Sequence, residues 1–221
     1  MKKADKLVLC YVSDRRSLRV ESGQTCETVL IQRVESAARA RVDWIQIREK
    51  DLPARKLVDL TTAAIRICES ASARNETRVL VNDRFDVAWA TGAAGVHAGE
   101  TALPIRDLVD ARRSARLKNF LIGASCHSLD SAIDAAERGA DYVFFGPVFE
   151  TPSKASFGPA QGPAKLAQVC RAVSIPVIAI GGITLENARV CRESGAAGIA
   201  AIRLFQDADA IGEIIAALQT E

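Results

Sequence analysis

With 221 residues, 48% of them hydrophobic and 25% charged, the chain is long enough for one large core, and its formal net charge of +2 points to neither nucleic acid nor an anionic membrane as a partner. An aromatic content of 5% leaves little for stacking on bases. No stretch reaches the roughly 18 apolar residues of a membrane span, and the apolar run after the basic start stops at Asp14-Arg15-Arg16, too short for a secretory leader, so a cytoplasmic location is expected.

In chain order, short β-branched runs alternate with helical patterns. The first run, Leu7–Val12, ends in Ser13 and Asp14 and precedes a predicted helix over Glu27–Ala40. The second, Val42–Ile47, leads into Arg48 and Lys50, with a helix over Ala54–Ala71 behind it. Arg78–Val81 ends in Asn82-Asp83 before Phe85–Ala90; Gly95–His97 precedes Ile105–Ala115; Leu121–Ser125 precedes Leu129–Arg138. Tyr142–Phe145 passes through Gly146-Pro147 into a long polar connection, Phe149–Gly162, which carries Thr151, Ser153 and Lys154 and is followed by Pro163–Ala172. Loops of that length are usually functional or disordered, and this one reads as a lid over a phosphorylated ligand. Pro176–Ile180 ends in Gly181-Gly182 before Leu185–Glu193, and Gly198–Ile202 ends at Arg203 before Ala208–Leu218.

Strands alternating with amphipathic helices imply a parallel sheet, and strands apolar on both faces, such as Val177-Ile178-Ala179-Ile180, imply one covered on both sides. Eight such units without linker or composition break predict a closed (β/α)8 TIM barrel, one domain over residues 1–221. The structural rival is an open doubly wound sheet, but no dinucleotide fingerprint follows the first strand. In a barrel the site lies at the carboxyl ends of the strands, where the polar residues above are found.

Two features point to phosphate. Gly181-Gly182 lets the backbone approach an anion, and Thr184 is a natural N-cap for a helix whose free N–H groups face it; Arg203 stands at the end of the last strand nearby. In Gln46-x-Arg48-x-Lys50, alternation sends an amide, a guanidinium and an ammonium to one face at the mouth. Asp83 adds a carboxylate there, as a Mg²⁺ ligand beside a diphosphate or as the partner of an internal Arg48–Asp83 ion pair. The six cysteines form no Cys-x-x-Cys pair, and with His97 and His127 as the only histidines a structural zinc set is lacking. Cys126 and His127 should face opposite ways as strand neighbours, His97 should satisfy a local hydrogen bond, and Trp44 and Trp89 should pack strand against helix.

The series Ile45-Gln46-Ile47-Arg48-Glu49-Lys50, Val81-Asn82-Asp83-Arg84, Gly95-Val96-His97, Gly123-Ala124-Ser125-Cys126-His127, Thr151-Pro152-Ser153-Lys154 and Ala179-Ile180-Gly181-Gly182-Ile183 resembles the thiamin phosphate synthase family over essentially the whole chain. Its superfamily also holds the thiazole tautomerases. The resemblance implies a (β/α)8 barrel that condenses hydroxymethylpyrimidine diphosphate with thiazole phosphate and releases diphosphate. It further implies that Gln46, Arg48, Lys50 and Asn82 hold the pyrimidine diphosphate, that Asp83 binds Mg²⁺, and that Ser125 and Lys154 contact the diphosphate. Thr151, Ser153, Gly182 and Ile202 would hold the thiazole phosphate, with Gly181 and Arg203 beside them. Lys154, Ser125 and His127 are the candidate catalytic groups, and the partners are small phosphorylated molecules. A homodimer is compatible with the sequence, and nothing in it requires one.

The sequence departs from the family pattern in three places. A second Mg²⁺ aspartate is replaced by Ala102, with Glu100 nearby; a strand-8 serine is replaced by Arg203; and a lid threonine is Ser153. Two alternatives follow. A thiazole tautomerase acting on thiazole carboxylate phosphate would use His127 as its proton shuttle, although synthases carry a matching histidine and a tautomerase has little use for Gln46, Arg48, Lys50, Asn82 and Asp83. The other is a non-catalytic barrel that binds thiamin precursors.

Overall fold

The structure, a computed structural model, describes residues 6–71, 77–99, 102–151 and 159–220. Eight strands pair in parallel in chain order: β1 (Val8–Val12), β2 (Trp44–Ile47), β3 (Arg78–Asn82), β4 (Gly95–Ala98), β5 (Leu121–Cys126), β6 (Tyr142–Phe145), β7 (Val177–Ile180) and β8 (Gly198–Ala201). Pairing of Val8 with Gly198 through Tyr11 with Ala201 closes the barrel and rules out the open sheet. Helices α1 (Cys26–Arg39), α2 (Ala54–Ala71), α3 (Phe85–Thr91), α4 (Ile105–Ser114), α5 (Leu129–Glu137), α6 (Gly162–Ala172) and α7 (Leu185–Glu193) alternate with the strands, making a (β/α)8 TIM barrel.

Alternation sorts each strand into two layers. Leu9, Ile45, Ile47, Val79 and Val81 point outward and join helix residues such as Leu30, Val34 and Leu60 in the outer core. Cys10, Val12, Leu80, Tyr142, Phe144, Ile178 and Ala200 form a separate inner cluster enclosed by the strands. Full burial of a Val, Leu, Ile or Phe side chain among them contributes about 1.5–3 kcal/mol. Gly123 makes room for the ring of Tyr142, since a Cβ there would lie 2.1 Å from its Cζ.

Three expectations need correction. Trp44 does not pack strand against helix: it joins the inner cluster, its ring centroid 4.7 Å from that of Tyr142. Trp89 is 55% exposed and rests against Phe85 at the surface. After β8 a short helix, α8 (Arg203–Gln206), precedes α9 (Ile211–Thr220). The strand ends at Ala201, so Ile202 is the residue that caps α8 and Arg203 opens that helix instead of ending a strand.

Candidate active site

At the ends of β2 and β3 the inward face turns polar. Gln46, 1% exposed, donates through Nε2 to Asn82 Oδ1 at 3.0 Å. With its oxygen committed to Gln46, Asn82 keeps its N–H donors for the mouth. Arg48 is half-buried and Lys50 exposed, and neither forms an ion pair among the described residues. The Arg48–Asp83 pair is therefore not made. Asp83 Oδ1 instead accepts from Gly99 N at 2.7 Å, a contact that a glycine permits because a Cβ at position 99 would lie 3.0 Å from that oxygen. Asp83 has φ 61, and Arg84 N donates to Asn82 O at 2.8 Å across it. A non-glycine residue in this left-handed turn is strained, and such strain concentrates at functional sites.

Behind the triad lies an anchor that sequence reading missed. Glu49, 4% exposed, accepts from Ser13 Oγ at 2.6 Å, from Arg15 Nη1 at 2.9 Å and from the Arg15 backbone N–H. Ser13 Oγ in turn accepts from Arg48 N at 2.9 Å. Burial pushes the Glu49 carboxyl above its ordinary pKa, against the opposing bonds from Ser13 and Arg15. Arg15 also binds Asp51 through two 2.7 Å bonds, which hold the Asp51 carboxyl down at about 2. This cluster fixes the backbone that carries Arg48 and Lys50. Glu49 lies two residues past the end of β2 at Ile47, where alternation no longer decides a side chain's direction, so no local pattern pointed to it.

At the end of β5, Ser125 Oγ lies 2.9 Å from His97 Nε2, and His97 Nδ1 lies 3.1 Å from the hydroxyl of Tyr142. His97 thus has the local hydrogen bonds expected of it. Cys126 is buried, donates weakly to Ser131 O at 3.4 Å, and has its thiol pushed up to about 11 by burial, so it is no nucleophile for His127. Because β5 ends at Cys126, alternation no longer decides where His127 points. Its Nδ1 bonds Gly146 O, and the ring lines a cavity of about 310 Å³ with Ser128, Phe145, Gln161 and Lys165.

A second cavity, of about 370 Å³, lies beyond β7 and β8 and is lined by Thr151, Gly181, Gly182, Thr184, Ile202 and Arg203 among others; among the described residues it shares none with the His127 cavity. Gly181 and Gly182 have φ 96 and 67, and their missing Cβ atoms admit the backbone of residues 147–150, which would otherwise lie 2.6 Å from Pro147 Cα and 2.5 Å from Glu150 O. Thr184 is the N-cap of α7, and its backbone N–H donates to Asn187 Oδ1 at 2.9 Å. Arg203 Nη2 donates to Thr151 Oγ1 at 3.1 Å, so the guanidinium reaches over this cavity. A glycine cradle, a helix N-terminus and a guanidinium together suit a phosphate.

Ser153, Lys154 and Glu100 lie outside the described residues, as do residues 152–158, half of the expected lid. Ala102 is half-buried against the outer core and offers no ligand. Among the described residues no cluster of three or more His, Cys, Asp or Glu is arranged for a metal. Asp83 presents one carboxylate oxygen beyond the one tied to Gly99. That donor set fits Mg²⁺, which is commonly held by one or two carboxylates together with substrate phosphates, and would suit an ion that arrives with the diphosphate.

Comparison with known proteins agrees with this geometry. A family profile described as thiamine monophosphate synthase matches residues 18–205. The chain is 45% identical over 166 residues to a thiamine-phosphate synthase of Methanoculleus marisnigri, covering 75% of each chain. It is 38% identical to one of Chlorobium luteolum over 91% of this chain and 86% of the relative. A solved thiamine phosphate pyrophosphorylase from Pyrococcus furiosus superposes with a TM-score of 0.79 at 32% identity, over 97% of this chain and 94% of that one. A 3-hexulose-6-phosphate synthase, 15% identical with a TM-score of 0.68, shares the fold alone.

Proposed function

This chain belongs to the thiamine monophosphate synthase family, and we propose that its rim joins hydroxymethylpyrimidine diphosphate to thiazole phosphate, giving thiamin phosphate and diphosphate. The observation that carries the reading is the division of the rim. Arg48 and Lys50, without acidic partners among the described residues, stand with Asn82 on one side, and a separate phosphate cavity stands beyond β7 and β8 on the other.

In this reading the bond between the pyrimidine methylene and the diphosphate breaks, and the methylene carbon is captured by the thiazole nitrogen. The protein's task is to bear the charge that collects on the departing diphosphate. Arg48 and Lys50 supply fixed positive charge, Asn82 and Ser125 supply hydrogen-bond donors, and Glu49 with Ser13 holds the strand end so that little reorganisation is needed at the moment of reaction. Mg²⁺, when bound, would supply Lewis-acid neutralisation of the diphosphate, with Asp83 as its protein ligand. Gly181, Gly182, Ile202 and Arg203, with Thr151, hold the thiazole phosphate so that its ring faces the methylene. Ser153 and Lys154 enter the proposal from the sequence resemblance. The six free cysteines fit a reducing compartment, and we place the enzyme in the cytoplasm.

Incubation with both substrates and Mg²⁺, followed by mass spectrometry, tests the reading. Thiamin phosphate should form with equimolar diphosphate and should cease when the metal is chelated. Binding of thiazole phosphate without any product would contradict the synthase reading and favour the tautomerase.

A further inference from the structure

His97 is 1% exposed and lies between Ser125 and Tyr142, with the Phe144 ring centroid 4.1 Å from its own. Which ring nitrogen carries the proton is decided by its neighbours, and the neighbours are unequal. The Tyr142 hydroxyl is fully buried in the inner cluster, and among the described residues its one hydrogen-bond partner is His97 Nδ1. If Nδ1 carried a proton, Tyr142 would accept there and its own O–H would point into apolar surroundings with nothing to receive it. The satisfied arrangement has Tyr142 donating to a bare Nδ1, which places the imidazole proton on Nε2. Burial also drives the Tyr142 pKa well above 10, keeping the phenol a donor. Nε2–H then donates to Ser125 Oγ, and the serine's own proton must turn elsewhere.

We infer that Tyr142 and His97 form a hydrogen-bond relay that fixes the polarity of Ser125, so that this hydroxyl presents its proton to the barrel mouth. Both are positioning residues acting through Ser125. The opposite tautomer would draw the serine proton into the barrel and turn a lone pair toward the mouth, as a nucleophile–base pair does, and a lone pair repels a phosphate oxygen. The relay thus separates Ser125, despite its contact with a histidine, from a serine-hydrolase dyad. Its usefulness rests on the proposed reaction, in which a diphosphate lies at that mouth and can only accept.

The chain holds two histidines, so a long-range ¹H–¹⁵N correlation spectrum of histidine-labelled protein is simple, and His97→Gln assigns it. In the unliganded wild type, His97 should carry its proton on Nε2 with Nδ1 bare. A proton on Nδ1, or on both nitrogens, overturns the relay whatever an activity assay shows. In Tyr142→Phe the lock is removed, so the Nδ1–H form should appear and KM for the pyrimidine diphosphate should rise about fivefold or more, about 1 kcal/mol for a weakened hydrogen bond, with KM for thiazole phosphate unchanged. Equal changes in both constants would mean a packing role alone and would overturn the positioning role. His97→Gln, whose amide can still donate to Ser125, should retain more activity than His97→Leu; equal losses count against the relay. A wild-type Nε2–H tautomer in a protein that releases no diphosphate would leave the relay standing and remove the synthase reading.

Discussion

Arg203 opens α8 with its guanidinium on Thr151, where the family pattern has a serine hydroxyl. If it supplies a charge-assisted hydrogen bond to the thiazole phosphate, Arg203→Ala should weaken that ligand at least about tenfold, since such bonds are worth roughly 1.5–3 kcal/mol. Isothermal titration with thiazole phosphate checks this, and an unchanged Kd would show that the side chain only borders the cavity. Glu49 is a different kind of residue, acting through the backbone it anchors. Glu49→Leu would strip Ser13 and the Arg15 backbone N–H of their acceptor, while the Arg15 guanidinium keeps Asp51 and Arg48 and Lys50 remain present, so the pyrimidine diphosphate should bind more weakly with little change toward thiazole phosphate. Much at this scale was legible in the sequence: the polar strand ends of β2, β3, β5 and β7 were recognisable from residue type and alternation. Trp44 was misplaced by the habit of large aromatics to pack strand against helix, although it shares the parity of Gln46 on β2 and alternation alone points it into the barrel. His127 was harder, because it lies one residue past the end of β5, where the period of two no longer applies.

The element that sequence periodicity could not show is α8, whose four residues span barely one turn. It matters because Gln206 at its end, 2% exposed, ties it to the loop after β1. Its Oε1 accepts from Tyr11 OH at 3.1 Å and from Asp14 N at 2.8 Å, while its Nε2 donates to Asp14 O and Ser17 Oγ. Through that loop the helix carrying Arg203 is joined to the Ser13–Glu49 anchor. Gln206→Leu should strand several of these groups and cost about 2–4 kcal/mol, given about 1–3 kcal/mol for each buried group left unpaired. A thermal unfolding midpoint within a degree of wild type would contradict the tie. The turn after β7 is governed by close approach. Gly182→Ala places a Cβ at φ 67 within 2.5 Å of Glu150 O, so it should destabilise by more than about 1 kcal/mol and weaken thiazole phosphate binding while sparing the pyrimidine diphosphate. The glycine pair was legible as a phosphate signal, but its second task, admitting the 147–150 backbone, depends on tertiary contacts that no local pattern contains.

At the scale of the whole molecule, the eight strand and helix patterns were visible because the strands are short, β-branched and largely buried on both faces and alternate with amphipathic helices, the arrangement a closed parallel barrel requires. Element ends shifted by up to three residues, as at α9, expected from Ala208 and found from Ile211, and by two at β2, where Val42 and Asp43 lie before the strand. The barrel also shields its thiols: Cys10, Cys68, Cys126, Cys170 and Cys191 are buried and Cys26 is partly accessible. Burial pushes Cys126 and Cys170 up to about 11, so in native protein near neutral pH one thiol, Cys26, should react readily with an alkylating reagent, and peptide mapping reads which. The central claim is that the mouth stabilises a departing diphosphate with help from a metal held by a single carboxylate. The most direct test is diphosphate release with both substrates across a Mg²⁺ titration, in the wild type and in Asp83→Ala. The account predicts Mg²⁺-dependent release in the wild type and its loss in the variant, despite Ala102. Release that ignores Mg²⁺, or that survives in Asp83→Ala, would contradict it.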